Sequence, residues 1–119
     1  MIEKAGGKAV AQALDVASRE AILDAVAWVK SNVGSIDILV NNAGSASKVL
    51  NARFISEAEW YATVNVNLTA VFNLTQAVLE DMIARKDGTI ITVSSLAVVN
   101  PNRWAVPRMA RPRPASRTS

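Results

Sequence analysis

The chain has no cysteine and no histidine, and these two absences remove whole classes of chemistry. Disulfides, thiolate or imidazole metal sites, and catalysis built on Ser-His or Cys-His pairs are excluded. No metal ligand set is expected. Proline is missing from the first hundred residues, since all four prolines fall at 101 or later. No apolar run nears the ~20 residues that span a bilayer. The amino terminus lacks the basic segment and apolar stretch of a signal peptide. The expectation is a soluble, cytoplasmic protein with no membrane partner.

The 119 residues are 50% hydrophobic, which suffices for one domain that buries roughly two thirds of its unfolded surface. The net charge of +3 is unevenly placed: residues 1–100 carry eight Lys/Arg against ten Asp/Glu, and residues 101–119 carry five Arg and no acid. The body is therefore mildly acidic, and the basicity belongs to the tail. A basic binding face on a folded domain is not expected, so nucleic acid is not an expected partner.

Ala9–Leu14 reads as a short strand running into Asp15-Val16. Ser18 then suits an N-cap, with Glu20 in the first turn, Ala21, Ile22, Ala25, Val26 and Val29 at helical spacing, and Gly34 as a stop. Ser56-x-x-Glu59 has the form of a capping box and opens a long helical region. Leu68, Val71, Phe72, Thr75, Val78, Leu79, Met82 and Ile83 trace one face of that region, and Asp87-Gly88 closes it. Thr89–Val93 is a β-branched strand ending at Ser94-Ser95. Alternating strands and helices predict an α/β fold with a parallel sheet. From about Pro101 the Arg/Pro-rich text has no period and reads as a disordered tail.

The densest signal is Ile36-Asp37-Ile38-Leu39-Val40-Asn41-Asn42-Ala43-Gly44. An apolar run closed by turn residues predicts a strand buried on both faces. Ligands of open α/β sheets sit beyond the carboxyl ends of such strands. There the two amides offer donors and acceptors, and Ala43 and Gly44 let a flat ligand approach the backbone.

Between residues 2 and 100 the chain resembles the short-chain dehydrogenase/reductase family. The resemblance rests on an ordered set: Leu14-Asp15-Val16, the strand with Asn41-Asn42-Ala43-Gly44, Asn67 within Asn65-Val66-Asn67-Leu68, and Gly88 through Ser95. It implies a Rossmann-like parallel sheet, here incomplete, the middle portion of a doubly wound fold at residues 1–100. It also implies NAD or NADP as cofactor and a small carbonyl or alcohol substrate. Asp15 would accept from the adenine amino group and Val16 would pack at the ring. Asn41, Asn42, Ala43 and Gly44 would line the cofactor's ribose and the approach to the nicotinamide. Asn67 would sit at a break in the long helix and hold a relay water. Ser95 would hydrogen-bond the substrate oxygen. Read singly, these residues have plainer roles: Asp15 as a helix cap, Asn41 and Asn42 as turn amides, Asn67 as a solvated helix residue, Ser95 as a polar strand end.

Two departures shape the expectation. No T-G-x-x-x-G-x-G turn is present to cradle a pyrophosphate. The family's Tyr-x-x-x-Lys pair, counted thirteen and seventeen residues beyond Ser95, falls on Arg108 and Pro112. A guanidinium cannot act as a proton donor near neutral pH. The chain is thus expected to be inactive as written, its tail the product of a shifted reading frame. In the family's sheet order, the strand at 9–14 and the strand at 36–40 are separated by two strands that do not occur here, so one flank is expected to lie open. The alternative is a non-catalytic remnant or a subunit pairing with an intact relative, or with itself as a homo-oligomer, through the helix at 66–85.

Overall fold

The computed structural model describes residues 1–49 and 51–95; the tail expected at 101–119 lies outside the described residues. After a 3-10 turn at Glu3–Ala5, the elements are α1 (Arg19–Asn32), β1 (Ile38–Asn41), a 3-10 turn at Ala52–Phe54, α2 (Glu57–Val64), one π-helical turn (Asn65–Thr69), α3 (Ala70–Arg85) and β2 (Thr89–Thr92). β1 and β2 pair in parallel, with Ile38 opposite Thr89 and Asn41 opposite Thr92. The α2–α3 run is the crossover between them, so β1 to β2 is one βαβ unit.

Local chemistry explains most boundaries. Ser18 is extended, and its Oγ accepts from the Ala21 amide, which starts α1. Ser56 does the same for the Glu59 amide at the head of α2. The end of α3 departs from the expected Asp87-Gly88 stop. Lys86 takes the left-handed conformation at φ 54, its amide donating to Ile83 O while the Asp87 amide donates to Met82 O. That is a Schellman close on a residue with a side chain, costing about 1–2 kcal/mol against glycine. Gly88 is needed for packing instead: a Cβ there would stand 2.8 Å from the Cβ of buried Met82.

Two further expectations are corrected. Residues 9–14 are irregular, with Ala9 to Ala13 exposed and Leu14 half-buried. A strand requires a hydrogen-bonded neighbour, and among the described residues β1 and β2 pair only with each other. Nor is the strand at 36–40 buried on both faces. Leu39 is half-buried and Asn41 buried, whereas Ile38 and Val40 are 60% and 53% exposed and all four residues of β2 are exposed. α3 packs on β1 and α1 packs along α3. No described element covers the opposite sheet face, and among the described residues the outer edge of β1 has no paired strand, as expected.

The core among the described residues is Ile22, Ala70, Val78 and Met82. Burying an Ile or Met side chain supplies about 1.5–3 kcal/mol. Polar ties flank it: Arg19 donates to Asn73 Oδ1 and Gln76 Oε1, both at 2.7 Å. Lys30 pairs with Asp81 at 2.5 Å, and Arg85 reaches Asp37 Oδ1 at 2.7 Å and Ile36 O at 2.9 Å. Pairs this exposed contribute about 0–1 kcal/mol each, so they fix how the elements sit more than they hold them. The apolar arc on the long helix is wider than α1 and β1 can cover. Val78 and Met82 lie inside, while Leu68, Phe72, Leu79 and Ile83 are 67%, 61%, 40% and 65% exposed.

The two ends of the α3–β2 turn predict opposite effects. Lys86→Gly relieves the left-handed strain and raises stability by about 1 kcal/mol. Gly88→Ala overpacks Met82 and lowers stability by about 1–3 kcal/mol. Thermal denaturation followed by circular dichroism checks both signs.

Candidate functional site

Parallel pairing brings two strand exits to one edge. The Val93 amide donates to Asn41 O at 2.9 Å, so Ser94-Ser95 and Asn42-Ala43-Gly44 leave the same end of the sheet. Asn42, Ala43, Gly44, Ser94 and Ser95 are all exposed there. Asn41 behaves differently from its neighbour: it is 5% exposed, its Nδ2 lies 3.5 Å from Thr92 Oγ1, and its buried Oδ1 has no partner among the described residues. It is turned inward beneath the turn that Asn42 presents.

Asn67 lies in the π-helical turn, the break in the long helix that the family resemblance implies. Such turns carry one extra residue and recur at functional sites. Its Nδ2 donates to Ser45 O at 2.7 Å and to Thr63 O at 2.8 Å, and its Oδ1 accepts from the Ser45 amide at 3.2 Å. The side chain thus grips the backbone of Ser45 in both directions. A Cβ on Gly44 would stand 3.1 Å from that Oδ1, so the small residue is what lets the turn lie this close to the helix.

A second grip lies one step along the same segment, and reading the sequence alone misses it. Glu59 does not close a capping box with its side chain. Its Oε1 accepts from Ser47 Oγ at 2.6 Å, the Lys48 amide at 2.7 Å and the Val49 amide at 3.2 Å. Ser56-x-x-Glu59 carries no signal for this, because the partners lie ten to twelve residues back in a loop. The Ser47 hydroxyl, followed by the Val49 amide, holds the Glu59 carboxyl below its ordinary 4.5; partial burial opposes this, and the Lys48 amide and ammonium reinforce it.

Asp15 makes its bonds within its own turn. Its Oδ1 accepts from the Ala17 amide at 2.9 Å, and its carbonyl accepts from the Ser18 amide. It shapes the turn before α1, while Ser18 makes the cap. Asp15 is exposed and Val16 half-buried beside it. Among the described residues no group of His, Cys, Asp and Glu could hold a metal, and no helix is long and apolar enough to cross a membrane.

Two outcomes follow. Asn67→Ala removes both bonds to the Ser45 backbone, so the Ser45 amide should exchange at least tenfold faster, on the usual ~0.5–1.5 kcal/mol per bond. For Glu59, a folded value below the unfolded one means its stabilisation is present above pH 4.5 and is lost as pH falls through the lower folded value. Protection at Lys48 and Val49, taken relative to their intrinsic exchange rates, should therefore fall on acidification, while a Glu59→Gln chain shows no such step. Amide hydrogen exchange resolved by residue reads both.

Residues 1–107 match the family described as short chain dehydrogenase, seven residues beyond the stretch 2–100 over which the resemblance runs. The 3-oxoacyl-[acyl-carrier-protein] reductase FabG of Thermotoga maritima is 42% identical over 96 residues, covering 81% of this chain and 39% of the relative. A metagenomic short-chain oxidoreductase solved in complex with NADP superposes with a TM-score of 0.77 at 40% identity, over 83% of this chain and 45% of that one. A gluconate 5-dehydrogenase from Burkholderia cenocepacia J2315, solved with NADP and tartrate, gives 0.72 at 38% identity, over 79% and 36%. This chain thus spans less than half the length of each of these relatives.

Proposed function

The chain belongs to the short-chain dehydrogenase family, and from that premise we propose that it carries the central segment of an NAD(P)-dependent oxidoreductase that interconverts a small carbonyl and an alcohol. The observation that carries this reading is the shared edge: the exits of β1 and β2 lie side by side, and Asn67 ties the first of them to the crossover helix. The relatives named above include a reductase and a dehydrogenase, two of them solved with NADP.

The residues fit part of a dinucleotide. Asn42, Ala43 and Gly44 form an exposed ledge of small and amide side chains, and the absent Cβ of Gly44 lets Asn67 stand against its back. Asp15 and Val16 would meet the adenine, and the ledge would meet the ribose and the nicotinamide side. Asn41 would support the ledge from beneath through its buried amide. The glycine turn that would hold a pyrophosphate has no counterpart in the 119 residues. When bound, the nicotinamide supplies or accepts a hydride. Ser95 would orient the substrate oxygen by donating its hydroxyl proton in a hydrogen bond. Asn67 would keep Gly44-Ser45 in place and, in the family's scheme, hold a relay water. The proton itself has no donor here: the single tyrosine is Tyr61 on α2, and no lysine follows Lys86. The 119-residue chain is accordingly proposed to be catalytically silent by itself.

Purified chain mixed with NADPH and a 3-oxoacyl or keto-sugar substrate should consume no reduced nucleotide. Steady turnover would sink the silent reading. Conversely, a Thermotoga FabG carrying residues 14–95 in place of its own matching stretch should keep ketone reduction. Ser95→Ala in that chimera should then lose ~10²–10³ in kcat. An unchanged rate would take Ser95 out of the site.

The exposed row Leu68, Phe72, Leu79 and Ile83 favours a second reading, in which the helix at 66–85 pairs with a copy or an intact relative. Light scattering should then find a dimer of the parent chain that Phe72→Asp abolishes.

A further inference from the structure

Residues 47–49 aim three donors at one point. The Ser47 hydroxyl and the successive amides of Lys48 and Val49 converge on a single oxygen, Glu59 Oε1. Successive backbone N–H groups turned to one side make a concave anion receptor. Hydrogen bonds to an ionised acceptor are about twice as strong as neutral ones. The loop's own bonds prepare this shape: Ser47 Oγ also accepts from the Val49 amide at 3.2 Å and lies 2.8 Å from Val49 O. With one hydroxyl proton to give, Ser47 donates over the shorter distance, to the carboxylate. The carboxylate's root is fixed as well, because the Glu59 amide is the group that Ser56 Oγ caps.

A capping role alone does not account for this arrangement. The oxygen that a capping box would send back to the helix start is taken up by a loop ten to twelve residues earlier. The same segment is held at its other end by Asn67 on Ser45. Both anchors stand on the one helical run that also carries the core residues Ala70, Val78 and Met82. Segment 45–49 is therefore registered against the best-packed part of the molecule, through one amide and one carboxylate.

We propose that residues 47–49 form a carboxylate receptor filled by the chain's own Glu59, and that this internal ligand positions segment 45–49 beside the turn at 42–44. The receptor stands on geometry alone; its value to a redox site rests on the function proposed above. Glu59 is a positioning residue, acting through the loop and touching no substrate.

The test uses the 119-residue chain and residue-resolved amide exchange. Glu59→Ala should speed exchange at Lys48 and Val49 by about tenfold or more, while Val78 and Met82 stay protected. Acetate, titrated through the millimolar range typical of a short tether, should restore protection in Glu59→Ala and leave the parent chain unchanged. Unaltered exchange in Glu59→Ala, or no response to acetate, overturns the receptor. Should that variant lose its core protection, Ser47→Ala decides: the Glu59 carboxyl must titrate closer to 4.5 than in the parent, and an unmoved titration overturns the proposal. NADPH fluorescence recorded on the same samples reads the redox proposal separately, so either can fail without the other.

Discussion

The parallel pairing of Ile38–Asn41 with Thr89–Thr92 is the constraint on which the remaining structure depends. Parallel strands cannot be joined by a tight turn, so the chain between them must cross over one face of the sheet. That crossover is α2, the π-helical turn and α3, and once it lies over the sheet the rest has little freedom. Leu39 and Asn41 are the least exposed residues of β1, Val78 and Met82 are buried on the helix that packs on α1 and β1, and Gly88 must be small where that helix hands over to β2. The same pairing also puts both strand exits at one end. In this fold, architecture and site geometry have a single cause.

What the sequence made legible was local chemistry. Ser18 and Ser56 cap as their spacing says, because an N-cap needs only its own amide neighbours. The two strands are where β-branched runs end in polar turns, and their pairing follows from the alternation of elements. Residues 9–14 failed because a strand is a relation between segments, and no described element pairs with this one. The α3 face failed for a related reason: apolar spacing shows which residues avoid water, not how wide a surface the partners can cover. Lys86 was missed because a left-handed close ordinarily selects glycine, and Gly88 two residues on looked like that glycine while serving Met82 instead.

The candidate site divides along the same line. Asn42, Ala43, Gly44 and Ser95 could be placed from sequence because strand ends are local features. The inward turn of Asn41 and the grip of Asn67 on Ser45 depend on the helix passing over the strand, and no spacing shows that. Glu59 is the extreme case. Its position in Ser56-x-x-Glu59 satisfies a helix-start pattern completely, so the sequence offers no reason to look further, yet its charge is spent on a loop.

The segment after β1 faces a physical problem that these two side chains solve. From Asn42 to Val49 it has no ladder or helix to satisfy its backbone, and exposed chain of this kind loses roughly 1–2 kcal/mol of entropy per residue when it is fixed. Apolar burial cannot supply the compensation, since most of these residues lie in water. Directional bonds can, if their own side chains are already rigid. Asn67 is held by its bond to Thr63 one turn back, and Glu59 reaches the loop from a backbone that Ser56 caps. Asn67 thus brings its amide with little freedom left to lose, and Glu59 brings its carboxylate from a fixed root. That explains why the grips come from helix residues rather than from the loop itself. It also explains why a widened turn, which swings Asn67 toward Ser45, stands beside the strand exit where a ligand-facing edge must hold its shape.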